Sequence, residues 1–305
     1  MRRLEALIAQ SRRATENQDL TGIGNDEFVQ YYNDAQDRLQ SKIQQEHPEQ
    51  DYWANVGYIT LNSTTDVYSL VDLEDENGTS FKSQILASSA VSLVERSELS
   101  TFSNSESYVA LKYISPNERR TGWGYFFRGR DIIIAPKPQT GKVRITFTKR
   151  LTNLDIRRGK VGVISPGSYL QLAAGTVPQG TDFANIDYCC VIDGDGTIIL
   201  GEIPVSSYNQ GSRRIFTSST LTGVTTDHYV VYGKYATTHS GLDDIAERYL
   251  IEYCNMRIFM RDSSNDIRFQ SALVNDLEKE IIGLYAEPGN DAKYIPILET
   301  DYLNY

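Results

Sequence analysis

Residues 25–46 read NDEFVQYYNDAQDRLQSKIQQE, and the fold turns on this stretch. Phe28, Tyr32, Ala35, Leu39 and Ile43 recur at spacings of four, three, four and four. That is the single apolar stripe of an amphipathic helix. At 1.5 Å per residue the helix would run roughly 33 Å. Thr21-Gly22-Ile23-Gly24 breaks the chain before it, Asn25 and Asp26 stand where an N-cap belongs, and Pro48 marks the stop. Asp34, Asp37, Lys42 and Gln45 fall on the opposite, solvated face.

Moving toward the N-terminus, Leu4, Leu7, Ile8 and the stem of Arg12 share one face of an earlier helix. Moving the other way, the pattern changes to β from Asp51. Val56–Leu61, Asp66–Leu70, Tyr108–Tyr113, Gly124–Phe127, Asp131–Ile134 and Lys142–Phe147 read as strands of a meander. Phe81–Glu95 fits strand or helix. Ala135–Gly141, rich in proline and glycine, reads as the hairpin joining the last two strands. A second β-rich stretch follows, with Val161–Ile164, Tyr188–Ile192, Thr197–Leu200, Arg214–Phe216 and Tyr229–Tyr232 as strands of a small sandwich or barrel. Helix returns at Gly241. Leu242, Ile245, Tyr249, Leu250–Tyr253, Met256 and Met260 describe one helix. Phe269, Leu273, Leu277, Ile281 and Leu284 describe another, capped by Asp266. Helices at both ends with β between them predict an α+β fold. Segments 1–50 and 238–286 would form a helical bundle, 51–152 a β-sheet or sandwich excursion, 153–237 an additional small β domain, and 287–305 an extended tail.

Composition narrows the function. The 305 residues carry 40 acids against 30 bases, a net charge of −10, which argues against wholesale coating of nucleic acid. Three histidines and three cysteines leave little material for a metal centre, and Cys189, Cys190 and Cys254 read as reduced thiols in a cytosolic chain. No apolar run reaches the length of a membrane span, and Met1-Arg2-Arg3-Leu4-Glu5 does not read as a signal peptide. Gly141-Lys142 lacks the rest of a phosphate loop, and Gly122-Trp123-Gly124 lacks the third glycine of a dinucleotide fingerprint. Asp193-Gly194-Asp195-Gly196 opens like a calcium loop, but its later ligands fail, and a hairpin turn is the expected reading. His47, His228 and His239 have no metal spacing, and His228 lacks a nucleophile motif. No cofactor, metal or catalytic residue is expected.

Charge placement is more specific. Between Glu118 and Lys160 lie twelve bases: Arg119, Arg120, Arg128, Arg130, Lys137, Lys142, Arg144, Lys149, Arg150, Arg157, Arg158 and Lys160. Only Glu118, Asp131 and Asp155 oppose them. From Gly241 onward thirteen acids face six bases. A chain so polarised would meet copies of itself basic face to acidic face; the alternative is ordinary solubilising surface, and contact with passing nucleic acid is a third reading. Arg119, Arg120, Arg128, Arg130, Arg157 and Arg158 are the candidate inter-subunit or DNA-facing strip. The tail carries Tyr294, Ile295, Ile297, Leu298, Tyr302, Leu303 and Tyr305, too apolar for a solvated linker; either it folds back on its own subunit or, the favoured reading, it docks as an extended strand into a partner.

These pieces in this order resemble the head-to-tail adaptor family of tailed bacteriophages, the head-completion and tail tubular protein A-like adaptors. The resemblance rests on Phe28 with Tyr31-Tyr32-Asn33-Asp34-Ala35 and Leu39, and on Val67-Tyr68-Ser69-Leu70-Val71-Asp72, with Val71 where the family usually has proline. It rests also on Asp131–Pro138 followed by Val143–Phe147, and on the acidic helix pair from Asp243 to Ala286. It covers about residues 1–150 and 238–286. It implies a structural virion protein at the neck, assembled in the host cytoplasm: a ring, twelve-fold in the family, that joins the portal to the tail and extends the DNA exit channel. The implied partners are the portal protein, through the tail residues above, neighbouring copies, tail or nozzle proteins, and transiently the genome, with no membrane. A net-acidic lumen would let DNA slide without sticking. The competing expectation is a carbohydrate-binding or adhesion module built on 153–237, with exposed tyrosines as sugar platforms. A hydrolase using His228 is the remote third.

Overall fold

The computed structural model describes residues 2–16, 22–47, 53–75, 81, 91–97, 108–118, 124–137, 140–261 and 267–285. The chain forms two compact units, one from Met1–Gln50 with Leu242–Tyr305 and one from Asp51–Gly241.

The first unit is helical. Its elements are α1 (Leu4–Ala14), α2 (Asn25–Glu46), α3 (Glu247–Arg261) and α4 (Ile267–Leu284). The helices of the two chain ends pack together, α3 against α1, α2 and α4. The stripe of α2 is wholly inside: Phe28, Tyr32, Ala35, Leu39 and Ile43 are all buried. Each such side chain contributes about 1.5–3 kcal/mol, alanine less. Helix α3 is buried almost all round, from Tyr249 to Ile258, as the central helix of a bundle must be. Polar groups at the seams are matched. Ser11 and Tyr32 share a hydrogen bond of 2.8 Å, and the Arg38 guanidinium donates to Glu278 at 2.8 Å.

Three expectations need correction here. Asn25 does not cap α2: Gly24 is the N-cap, and the Asn25 side chain accepts from Arg12 instead. Arg12 also donates to the Ile23 carbonyl and lies 4.4 Å over the Phe28 ring. Helix α3 begins at Glu247, after a 3-10 turn over Asp244–Ala246, and Ile245 is exposed. In α4 the inward face is Val274, Leu277, Glu278 and Ile281, continued by Tyr285, so Phe269 and Leu284 point to solvent.

Among the described residues the second unit is β, apart from 3-10 turns at Leu70–Asp72 and Pro116–Glu118. Its first half comprises β1 (Ala54–Thr60), β2 (Val67–Ser69), β3 (Val91–Ser97), β4 (Val109–Ala110), β5 (Gly124–Arg128), β6 (Asp131–Ala135) and β7 (Lys142–Thr148). They form two sheets, ordered β1-β7-β3-β4 and β2-β6-β5, which share one core of Ile59, Tyr68, Val94, Ile132, Ile134, Ile145 and Phe147, among others. The run Ile132-Ile133-Ile134 is apolar without alternation because β6 is buried on both faces: Ile133 and Ala135 serve a second cluster with Ile114 and Phe126. Ala135–Gly141 is therefore not a hairpin. It carries the chain from the centre of one sheet to the centre of the other, so the strands are not a meander either.

The second half comprises β8 (Asn153–Leu154), β9 (Gly159–Ser165), β10 (Tyr169–Leu172), β11 (Tyr188–Ile192), β12 (Ile198–Pro204), β13 (Ser207–Asn209), β14 (Arg214–Phe216), β15 (Tyr229–Tyr232) and β16 (Ala236–Thr237). Seven of these make one antiparallel sheet ordered β12-β11-β15-β9-β10-β14-β13. Ile203 of β12 and Ile215 of β14 belong to the same core cluster. Strands so far apart in the order meet only if the sheet curls over that core. The other face of β11 and β15 is covered too, with Cys190, Ile192 and Val231 packed against Ala236 of β16, which pairs in parallel with β8.

Candidate functional site

Reactive side chains are each engaged locally. His47 Nε2 meets the Ile282 carbonyl at 3.0 Å. His228 Nδ1 accepts from the Thr225 amide, and His239 Nδ1 lies 3.1 Å from the Thr238 hydroxyl. Burial pushes the Cys190 and Cys254 thiols up to about 12 and raises Cys189 as well. Such thiols are protonated and inert at neutral pH. Among the described residues no group of three His, Cys, Asp or Glu is placed to hold a metal ion, and no helix is long and apolar enough to cross a membrane. The Asp193 loop is the hairpin turn between β11 and β12, and Asp193 Oδ1 accepts from the Asp195 and Thr197 amides, both at 2.8 Å. A pocket of about 220 Å³ is lined by Trp53, Lys149, Arg150 and Gly241, among others. It falls below the ~300 Å³ at which small-molecule sites begin. Burial lowers the Lys149 ammonium within it.

The basic stretch resolves into pairs. Arg144 donates to Glu95 at 2.6 Å across β7 and β3, and stacks 4.3 Å from the Tyr108 ring. Lys160 pairs with Asp227, and Lys142 is itself buried. Arg157 lies 4.1 Å over Tyr229 and donates to the Gly194 carbonyl. Arg158 is 3% exposed. It makes three contacts of 2.6–3.1 Å with the Asp155 carboxylate and stacks 3.9 Å from Tyr232, so it does not stand on the surface. Lys137 is exposed, and among the arginines Arg128 and Arg130 remain outward. They flank Gly129 at the tip of the β5–β6 hairpin, where Gly129 adopts φ +64°. Neither guanidinium makes an ion pair among the described residues. Arg119, Arg120 and the tail residues Tyr294, Ile295, Ile297, Leu298, Tyr302, Leu303 and Tyr305 lie outside the described residues.

Four of the six tyrosines of 153–237 are held the same way. Tyr169, Tyr188, Tyr229 and Tyr232 each have a cation within 4.5 Å of the ring centroid, from Arg214, Lys234, Arg157 and Arg158 respectively. Cation and ring stabilise one another by about 0.5–2 kcal/mol, and one face of each ring is taken.

The helical unit presents a different surface. Its net charge is (12 bases − 22 acids) = −10, whereas the β unit balances 18 bases against 18 acids. Among its exposed hydrophobics are Met260, Phe269 and Leu284, of which Phe269 is 77% and Leu284 61% exposed. Sequence reasoning placed these side chains on inward faces and so missed them as surface. The signal lay in Glu278, whose inward position rotates α4. Compared with known proteins, the chain matches no family model, and no curated protein matches it.

Proposed function

We propose that the chain is the structural adaptor of a tailed-phage neck, a ring-forming subunit that joins the portal to the tail and lengthens the DNA exit channel. One observation carries the reading. A helical unit built from both ends of the chain leaves a phenylalanine and a leucine largely exposed on a single helix. Standing about 22 Å apart at 1.5 Å per residue, they bound one face of α4 that the unit's own core leaves open. The concentration of the whole net charge in that unit adds support, since a negative wall repels phosphate and does not retain it. Mass photometry of the purified chain, alone and with its portal protein, tests the proposal. The expected result is a discrete oligomer of the chain, or a portal complex holding several copies. A chain that stays monomeric at micromolar concentration with portal present overturns it.

A further inference from the structure

Five exposed residues of α4 share one outward stripe: Phe269, Ala272, Asp276, Glu280 and Leu284, at spacings of three, four, four and four. Two carboxylates one turn apart have Leu284 one turn beyond Glu280 and Phe269 about two turns before Asp276. Like charges at this spacing repel by about 0.2–0.5 kcal/mol on an isolated helix, and neither carboxylate has an ion-pair partner among the described residues. The β unit has the complementary feature. Arg128 and Arg130 project from a two-residue hairpin whose backbone is fixed by ladder pairing and by the Leu70 amide donating to the Arg130 carbonyl at 2.9 Å. Two arginines on a rigid turn and two carboxylates one helical turn apart are complementary in charge and in number, which fixes partner and register more than affinity.

We infer that the Arg128–Arg130 hairpin of one copy docks on the Asp276–Glu280 stripe of the next, with Leu284, one turn beyond Glu280, beside the contact. This rests on the ring reading above and names its contact. Hairpin and stripe are different surfaces, so the contact is head-to-tail, the kind that generates rings.

The test uses charge reversal on the full chain. R128E/R130E and D276R/E280R each alter only exposed side chains, and circular dichroism checks that both fold. Each variant alone should assemble at least about tenfold more weakly than the wild type by sedimentation velocity. Mixed one to one, they should assemble again, because every reversed hairpin then meets a reversed stripe. Reversed variants that assemble like the wild type overturn this contact and leave the adaptor reading standing. So does a folded mixture that fails to assemble. If the hairpin variant assembles normally but loses binding to double-stranded DNA, the arginines serve nucleic acid and the contact falls. A wild type that never assembles, with or without portal, overturns both.

Discussion

Replacing Arg158 by methionine should unlock the second half of the β unit. Asp155 and Arg158 side chains are both only 4% exposed. The carboxylate accepts from the guanidinium at 2.6, 3.0 and 3.1 Å and from the Tyr232 amide at 2.6 Å. The pair therefore ties the loop after β8 to β15. Methionine keeps most of the volume and the contact with the Tyr232 ring but leaves the carboxylate without its cation. Breaking a buried pair this way costs about 3–5 kcal/mol, a large share of the ~5–15 kcal/mol that holds a domain together. The cost depends on pH. Burial already raises the Asp155 carboxyl above its ordinary value, against the pull of Arg158 and the Tyr232 amide. Without Arg158 it rises further. A group whose folded pKa exceeds its unfolded one favours the fold when protonated, so the penalty is small below about pH 4. It grows as pH rises through the elevated folded pKa. Urea unfolding of wild type and variant from pH 4 to pH 8, followed by near-ultraviolet circular dichroism, measures the difference. Hydrogen exchange at the Tyr232 amide reports the same event locally. A deficit below about 1 kcal/mol at pH 8, or one unchanged across the range, would refute the role given to the pair. D155N/R158M should recover much of the loss, because no buried charge remains.

Three more outcomes follow from single contacts. Thiol reagents at pH 8 should leave all three cysteines untouched in the folded chain and titrate three on denaturation, because every thiol is buried with its pKa raised; rapid reaction of one thiol in the native protein would show that its strand or helix opens. Glu247 is held below the usual carboxylate range by the Arg2 guanidinium, so its contribution is fully present above about pH 4.3 and lost as pH falls through the lower folded value. E247Q should therefore flatten the acid limb of helical-unit stability without changing its plateau shape near pH 7. G124A should destabilise the β unit by roughly 2–4 kcal/mol, because a Cβ at Gly124 would stand 2.1 Å from the Lys112 carbonyl oxygen, a backbone atom that cannot move aside; a loss under half that in urea titration would mean the 112–125 bridge yields easily.

The helical half was legible wherever burial follows local pattern. Residues 25–46 needed nothing beyond the spacing of Phe28, Tyr32, Ala35, Leu39 and Ile43. Helix α4 was harder because its inward face includes Glu278, tolerated there by an arginine 240 residues earlier in the chain. A local reading prefers the all-apolar stripe through Phe269 and Leu284, and places both on the wrong side. The cap at Asn25 failed for a related reason, since Arg12 competes for its side chain. In the β unit the strands were visible, but their partners were not. Nothing local tells a proline-rich hairpin from a crossing between sheets. The unbroken apolar runs of β6 and β11 did carry the signal of strands covered on both faces, although a short run of this kind fits a buried helix equally well.

The charge pattern shows most clearly where sequence counting stops. Nine net positive charges between residues 118 and 160 suggest a basic face. Folding spends much of that excess. Glu95 comes to Arg144 from 49 residues away, Asp227 to Lys160 from 67, and Tyr229 and Tyr232 come beneath Arg157 and Arg158. What stays outward is a hairpin tip two residues wide, together with Lys137, on a unit whose charges cancel. The helical unit keeps its entire −10. Copies of such a unit repel one another over a Debye length of about 8–10 Å at physiological salt. In the ring proposed above, neighbours would close where that repulsion is met by cations supplied from another element. Among the six arginines singled out from sequence, Arg128 and Arg130 are the described pair still available to supply them, which is why a contact between unlike surfaces, and not a symmetric pairing of two acidic faces, is the arrangement the electrostatics favour.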